Sequence, residues 1–297
     1  MQRGGRYRSF VDEARRRSLR VWCPSSLDEL REVAEGIVLR RPAAVAVVGG
    51  DGSLREVVSA VHRACAGSGA VEPSFIFIPA GTISTVVRNW SRGALHRARL
   101  LEQILAGTTP LVTSRPTLFV RLSSGHGYVS FVFGAGLVPR FFEEYERGRT
   151  RGRWSAAAIG ARAFTGVWTR SPFARELLAP VPCRIGVDGA LQPETSYSLV
   201  TCAVVRNLGL HFIVNYRAAE DPHRPHLVAT SLPAFALGRQ TLRVLRGRPL
   251  RSSRGLDGLV SQCELAFPDR TAIVLDGDTF RVDSLTITAG PVLRVAC

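Results

Sequence analysis

The run Ala43-Ala44-Val45-Ala46-Val47-Val48 leads directly into Gly49-Gly50-Asp51-Gly52-Ser53, and the residues beyond this loop decide how the junction is read. An Asp-Gly pair between apolar residues is a good hairpin signal. After Ser53, however, Leu54, Val57, Val58 and Val61 recur at the helical period, so the next element is a helix. A buried strand, a glycine loop and a helix then succeed one another. In α/β sheets, ligands bind at this end of the strand. Glycines let backbone N–H groups approach phosphate oxygens, and a helix N-terminus adds partial positive charge. Gly49, Gly50, Asp51, Gly52 and Ser53 are therefore expected to bind a nucleotide phosphate. Asp51 repels phosphate, so its expected part is to hold Mg²⁺ or a metal-bound water.

Working outward, Leu19 to Cys23 is expected to form a short strand, with Ser25 at its end as a further hydroxyl contact to phosphate. Ser26 and Glu29 have capping-box spacing and open a helix on which Leu30, Val33, Ala34, Ile37 and Val38 are periodic. On the other side, Ser74 to Ile78 is a strand ending in Pro79-Ala80-Gly81-Thr82. A helix carrying Ala98, Leu101, Ile104 and Leu105 stops at Gly107. Neighbouring loops of a parallel sheet open onto one edge, so Gly81 and Thr82 are expected to join the first loop on one nucleotide. This alternation predicts a doubly wound α/β nucleotide-binding domain over 1–115.

From Leu118 the texture changes to short alternating strands: Leu118 to Leu122, Tyr128 to Phe133, Cys183 to Val187, Tyr197 to Val205, Phe212 to Val214, Cys263 to Phe267 and Ala272 to Leu275. One helical stretch interrupts them, with Ala157, Ala161, Phe164 and Trp168 on one face. The expectation is an antiparallel β-sandwich-like domain over 116–297, whose last strand, Val292 to Ala296, could return to the first domain. There is no internal repeat and no low-complexity linker.

Composition narrows the function. The chain has 297 residues, a net charge of +15 and no lysine, so all 39 basic residues are arginine. A P-loop lysine and Schiff-base chemistry are thereby excluded. The six cysteines form no CxxC pair and read as small core residues in a reducing compartment. The first 20 residues lack the apolar core of a signal peptide, and the longest mostly apolar run, Tyr128 to Val138, is too short to cross a bilayer. The expectation is a cytoplasmic protein that touches membranes peripherally. Its arginine-rich stretches, Arg147 to Arg153 and Arg239 to Arg254, are expected to be exposed and to suit an anionic membrane surface. Nucleic acid ranks last as a partner, because no zinc finger, RNA-recognition motif or basic heptad accompanies the charge. Glu220-Asp221-Pro222-His223-Arg224-Pro225-His226 holds two acids and two histidines, but its prolines and arginine favour a solvated loop over a metal site.

Val48-Gly49-Gly50-Asp51-Gly52-Ser53 with Glu56 resembles the GGDGT-x-x-E element of the diacylglycerol, sphingosine and ceramide kinase family. Pro79-Ala80-Gly81-Thr82 is similar to its P-x-GT element, and Leu275-Asp276-Gly277-Asp278 to its DGE element. The resemblance implies an ATP- and Mg²⁺-dependent lipid kinase acting on the hydroxyl of a diacylglycerol, sphingoid base or ceramide. Asp278 would be the base that takes the hydroxyl proton, and Asp276 would support it. Without the resemblance, Asp276-Gly277-Asp278 reads as an ordinary β-turn. Three features depart from the family. Its opening N-P-x-S-G-like strand has no counterpart, which leads to the expectation of a start upstream of Met1. Ser84-Thr85 replaces Asn-Asp, and Asp278 replaces a glutamate. The missing strand and Ser84-Thr85 frame the alternative, a catalytically weak or inactive nucleotide- or lipid-binding relative; Asp278 is the milder departure.

Overall fold

The computed structural model describes residues 11–80, 84–90, 94–108, 111–148, 153–252 and 254–296. It divides into two compact units, one of residues 1–115 with 292–297 and one of residues 116–291.

In the first unit, α1 (Leu27–Arg40) is capped by Ser26, whose Oγ accepts the Glu29 N–H at 3.1 Å. The Glu29 carboxylate returns one residue further out than a capping box requires, taking the N–H and the hydroxyl of Ser25 at 2.7 and 2.9 Å. Arg41 ends the helix in the left-handed region. Strand β1 (Ala44–Gly49) leads to α2 (Asp51–Ser68), so the helix starts inside the glycine motif. Then come β2 (Ser74–Pro79), α3 (Thr85–Trp90), α4 (Ala94–Leu105) and β3 (Thr113–Arg115).

The sheet order is β1-β2-β16-β3, where β16 is Leu293–Ala296. β1 and β16 run parallel to β2, while β3 is antiparallel to β16. β2 is central and buried throughout, whereas β1, with β2 as its neighbour in the sheet, is buried only in part. Leu54, Val58, Val61 and Cys65 of α2 pack into this core, and Phe77 stacks on Trp90 with centroids 6.0 Å apart.

Two expectations for this unit change. Residues 19–24 form no strand: among the described residues none pairs with them, and the Arg20 guanidinium instead lies 5.9 Å over the Trp22 ring. α3 was not anticipated, because six residues are too few to show a helical period.

The second unit carries β4 (Leu118–Leu122), β5 (Gly127–Ser130), β6 (Val132–Gly136), α5 (Leu137–Arg147), α6 (Arg153–Trp168) and α7 (Pro172–Leu177). The short strands β7 (Val181–Pro182), β8 (Arg184–Val187), β9 (Ala190–Leu191) and β10 (Ser196–Tyr197) lead to β11 (Leu199–Ala203) and β12 (His226–Thr230). Helices α8 (Ala234–Arg239) and α9 (Thr241–Leu245) precede β13 (Gly255–Leu259), β14 (Gln262–Leu275) and β15 (Asp278–Ala289). The main sheet is antiparallel, in the order β13-β12-β11-β6-β14-β15-β4-β5, with β8 and β9 attached beside β14.

The expected Cys263–Phe267 and Ala272–Leu275 strands are one strand, β14, whose pairing with β15 shifts between Ala266 and Thr271. Before that irregularity β14 pairs with β8, and after it with β6, so one strand serves two neighbours. The expected Tyr128–Phe133 strand breaks at the buried Phe131. Phe212 to Val214 is not a strand, while β12, β13 and β15 are strands that sequence reasoning passed over. α6 exists, and the face named from its period is largely the outer one: Ala156 and Val167 are buried, while Ala157, Ala161 and Trp168 are exposed.

Candidate active site

Gly49 ends β1 opposite Pro79 at the end of β2, and the Ala80 N–H donates to the Gly49 carbonyl at 2.9 Å. Both loops therefore leave the sheet at one edge. A Cβ on Gly49 would stand 2.6 Å from the Ser53 Cβ, so the turn into α2 closes only around glycine. Gly50 is the extended N-cap residue and supplies no capping side chain. The first ladder bond runs from Leu54 N–H to the Gly50 carbonyl at 3.0 Å. Ahead of it lie the Gly52 and Ser53 amides, in the turn where a helix has no acceptors of its own. With its partial positive charge, this 18-residue helix presents an N-terminus suited to an anion.

Asp51 joins the two loops. Its carboxylate accepts the Thr85 N–H at 2.5 Å and the Val86 N–H at 3.1 Å, which seats the first turn of α3 against the start of α2. Ser84, just before, is buried and held in the left-handed region. Gly81 and Thr82 lie outside the described residues. Next to the motif, buried Arg55 donates to Glu56 at 2.6 and 3.2 Å, so the motif glutamate serves as the counter-ion of a buried arginine. The Ser25 hydroxyl donates to Glu29, and its observed work is at the start of α1.

Mg²⁺ in kinase sites keeps several waters and takes only one or two protein carboxylates beside the phosphates. Among the described residues no cluster of three His, Cys, Asp or Glu side chains could hold a metal without such help. Asp51, a part-buried carboxylate at the start of α2, is the kind of group that fits that sparing role.

In the second unit, Asp276 and Gly277 form the two-residue turn between β14 and β15, with φ of 50° and 92°. Positive φ at both central residues is the primed hairpin turn that Asp-Gly favours. Asp276 is only 5% exposed. Its carboxylate accepts the Ser130 hydroxyl at 2.7 Å and the Phe131 and Val132 amides at 3.1 and 2.9 Å. Asp276, expected to support Asp278, thus places its carboxylate on the turn where β5 passes into β6. Asp278 is the first residue of β15 and is exposed. Two residues on, Phe280 packs on Tyr128 with centroids 5.4 Å apart. Both rings line an open cleft of 380 Å³ that also includes His126, Arg270, Arg281 and Asp283.

The Glu220–His226 segment divides. His223 and Arg224 are exposed, but His226 is fully buried in β12, with its Nε2 2.8 Å from Asp257 of β13. Tyr216 donates its hydroxyl to the same carboxylate at 3.1 Å. A sequence gap of 31 residues hid this pair, which only the β12–β13 ladder reveals. Cys65, Cys183, Cys202 and Cys263 are free and buried. Burial pushes the Cys183 and Cys263 thiols up to about 12 and Cys202 well above its usual value, so these are inert core residues.

A nucleotide-type α/β unit with a glycine loop, followed by an antiparallel β unit, is the class that fold and loop define. Residues 11–113 match the family model of the diacylglycerol kinase catalytic domain, about a third of the chain. No curated protein matches it at a significant level. A solved diacylglycerol kinase structure from Bacillus anthracis str. Sterne is similar at a TM-score of 0.59 and 13% identity, over 93% of this chain and 84% of that one. Two further structures from that organism, described as candidate diacylglycerol kinases, give TM-scores of 0.63 and 0.60 at 14% and 15% identity, each over 92% of this chain and 83% of its own. At such identity these likenesses show the fold. Residues 11–113 are thus similar to a kinase-family catalytic domain, and no helix among the described residues is long and apolar enough to cross a membrane.

Proposed function

We propose that this protein transfers the γ-phosphate of ATP to the hydroxyl of a lipid of the diacylglycerol, sphingoid-base or ceramide class. The observation that carries the proposal is the start of α2, a helix N-terminus with no side-chain cap, reached through a glycine that admits no Cβ and fixed to a second loop by Asp51. Gly49 to Ser53 would hold the ATP phosphates by their backbone amides, together with Gly81 and Thr82. Mg²⁺ would come with the nucleotide, neutralise phosphate charge, and meet Asp51 directly or through water. Phosphoryl transfer depends chiefly on positioning and charge, so the protein needs few reacting groups of its own. Asp278 would accept the proton of the attacking hydroxyl. Asp276 acts through the turn, by fixing where Asp278 stands, and is a positioning residue.

The second reading is a weak or inactive relative that binds nucleotide or lipid. Ser84-Thr85 favours it, because the amide of Thr85 binds Asp51 at a place where the family brings a further carboxylate. The test is transfer of labelled γ-phosphate to a panel of diacylglycerol, sphingoid bases and ceramide, with the product identified. Label in one lipid that falls about a hundredfold or more in Asp278→Asn supports the kinase. ATP binding without transfer to any lipid would leave the second reading in its place.

A further inference from the structure

The outer face of α6 is an anomaly. Helix positions 154, 158, 161, 165 and 168 fall on one line of an α-helix, and Trp154, Ala158, Ala161, Thr165 and Trp168 are all exposed. The Thr165 hydroxyl is turned back onto the Ala161 carbonyl at 3.0 Å, so this face is apolar from end to end. Its length is about 21 Å, with a tryptophan near each end. Trp154 is 90% exposed and Trp168 56%. The opposite side is the one that packs, through Val167 against Ala174, Leu199 and Leu237. A surface helix ordinarily shows water its polar face.

The neighbouring segments extend the patch. A Cβ on Gly238 would stand 2.3 Å from Val167 Cγ2, so the backbone of α8 lies directly on α6. Phe235 of α8, 43% exposed, meets Trp168 edge-on at 5.8 Å, and Leu242 of α9 is 51% exposed. In sequence, the segments that carry these residues are basic. Residues 147–175 contain seven arginines and residues 231–256 contain six, and neither segment has an Asp or Glu. Arg162 lies 3.9 Å over Phe173 and Arg239 5.7 Å over Phe235, which keeps cations beside the apolar surface.

We infer that this α6–α8–α9 face is a docking surface for an anionic lipid bilayer. An apolar face with tryptophan near both ends suits the boundary between headgroups and acyl chains, and arginines beside it reach anionic headgroups. Nucleic acid would satisfy the arginines but gain nothing from a face of alanines. The inference rests on the proposed lipid substrate, since it supplies the surface on which a kinase would meet it.

The test is flotation of the full chain with vesicles of pure phosphatidylcholine or of phosphatidylcholine mixed equally with phosphatidylglycerol. The parent should float with the mixed vesicles, release at high salt, and show tryptophan quenching by brominated acyl chains. Trp154→Ser with Trp168→Ser should weaken binding about tenfold or more and remove most of that quenching. Trp22→Ser, in the first unit, should change neither. Equal binding by parent and double variant, or equal binding to both vesicle types, overturns the inference. So does a double variant that loses binding to duplex DNA but not to vesicles. Transfer to a short-chain acceptor dissolved as monomers needs no surface and should be equal in parent and double variant. Its absence from the parent would defeat the kinase reading while leaving the vesicle result to judge the docking surface.

Discussion

Two of the chain's four Asp-Gly pairs lie in the motifs that stand out in its sequence. Asp51-Gly52 and Asp276-Gly277 each come after an apolar strand, and each aspartate accepts two backbone amides from another element. Asp51 is part-buried at the start of an 18-residue helix and ties down α3. Asp276 is buried in the left-handed region between two antiparallel strands. The residues on the C-terminal side separate the two. Leu54, Val57, Val58 and Val61 carry the chain forward as a helix, whereas Thr279, Phe280, Arg281 and Val282 alternate and carry it back along β14. The same two letters thus open a helix in one unit and close a hairpin in the other.

The comparison is broken most severely at Asp276. Asp276→Ala strands the Ser130 hydroxyl and two backbone amides inside the protein, and should cost on the order of 3 kcal/mol in urea or thermal unfolding. A change under about 0.5 kcal/mol, ordinary for a surface site, would show that the turn does not depend on its carboxylate. Next comes Gly49→Ala, which forces a Cβ onto Ser53 and should cost about 1–3 kcal/mol. Asp51→Ala, which frees α3 from α2, should cost about 1–2 kcal/mol, in the range of a lost cap. Nucleotide binding should weaken in both of these variants, while Asp276→Ala leaves the first unit's loop untouched.

The smallest effect is at Glu29. Its carboxyl is held below the usual glutamate range, first by the Ser25 N–H and then by the Ser25 hydroxyl. A depressed value stabilises the folded state above the unfolded pKa, and that contribution disappears as pH falls through the folded value. The group is fully exposed, so Glu29→Gln should flatten the acid limb of the stability curve only slightly. An acid limb unchanged in slope would show that the contact does not persist in solution.

How much was legible divides along the same line. The first unit shows itself in the sequence because its strands are continuous apolar runs and its helices hold a period over three turns or more. α3 and the absence of a strand at Leu19 to Cys23 escaped for opposite reasons. The helix is too short to carry a period, and the apparent strand lacks a described neighbour to pair with. In the second unit the bulged β14 looked like two strands, and β15 was hidden behind the turn that was read as a site. Asp276 shows the limit plainly: a motif position names a residue but cannot say that Ser130, Phe131 and Val132 are its partners, since these lie about 145 residues away in sequence. The apolar face of α6 is legible as a face, but its outward direction is not. Periodicity tells which residues share a side, and not which side meets the sheet.

If the two Asp-Gly elements divide the work as proposed, nucleotide binding belongs to the first and acceptor activation to the residue after the second. Calorimetric titration of Mg²⁺-ATP into Gly52→Val and Asp278→Asn tests this most directly. The branched side chain crowds the space a phosphate needs at the start of α2, whereas Asp278 lies on an exposed strand end of the other unit. The account predicts that Gly52→Val, still folded, takes up no ATP while Asp278→Asn binds it as the parent does. Retained binding in Gly52→Val, or lost binding in Asp278→Asn, would contradict it.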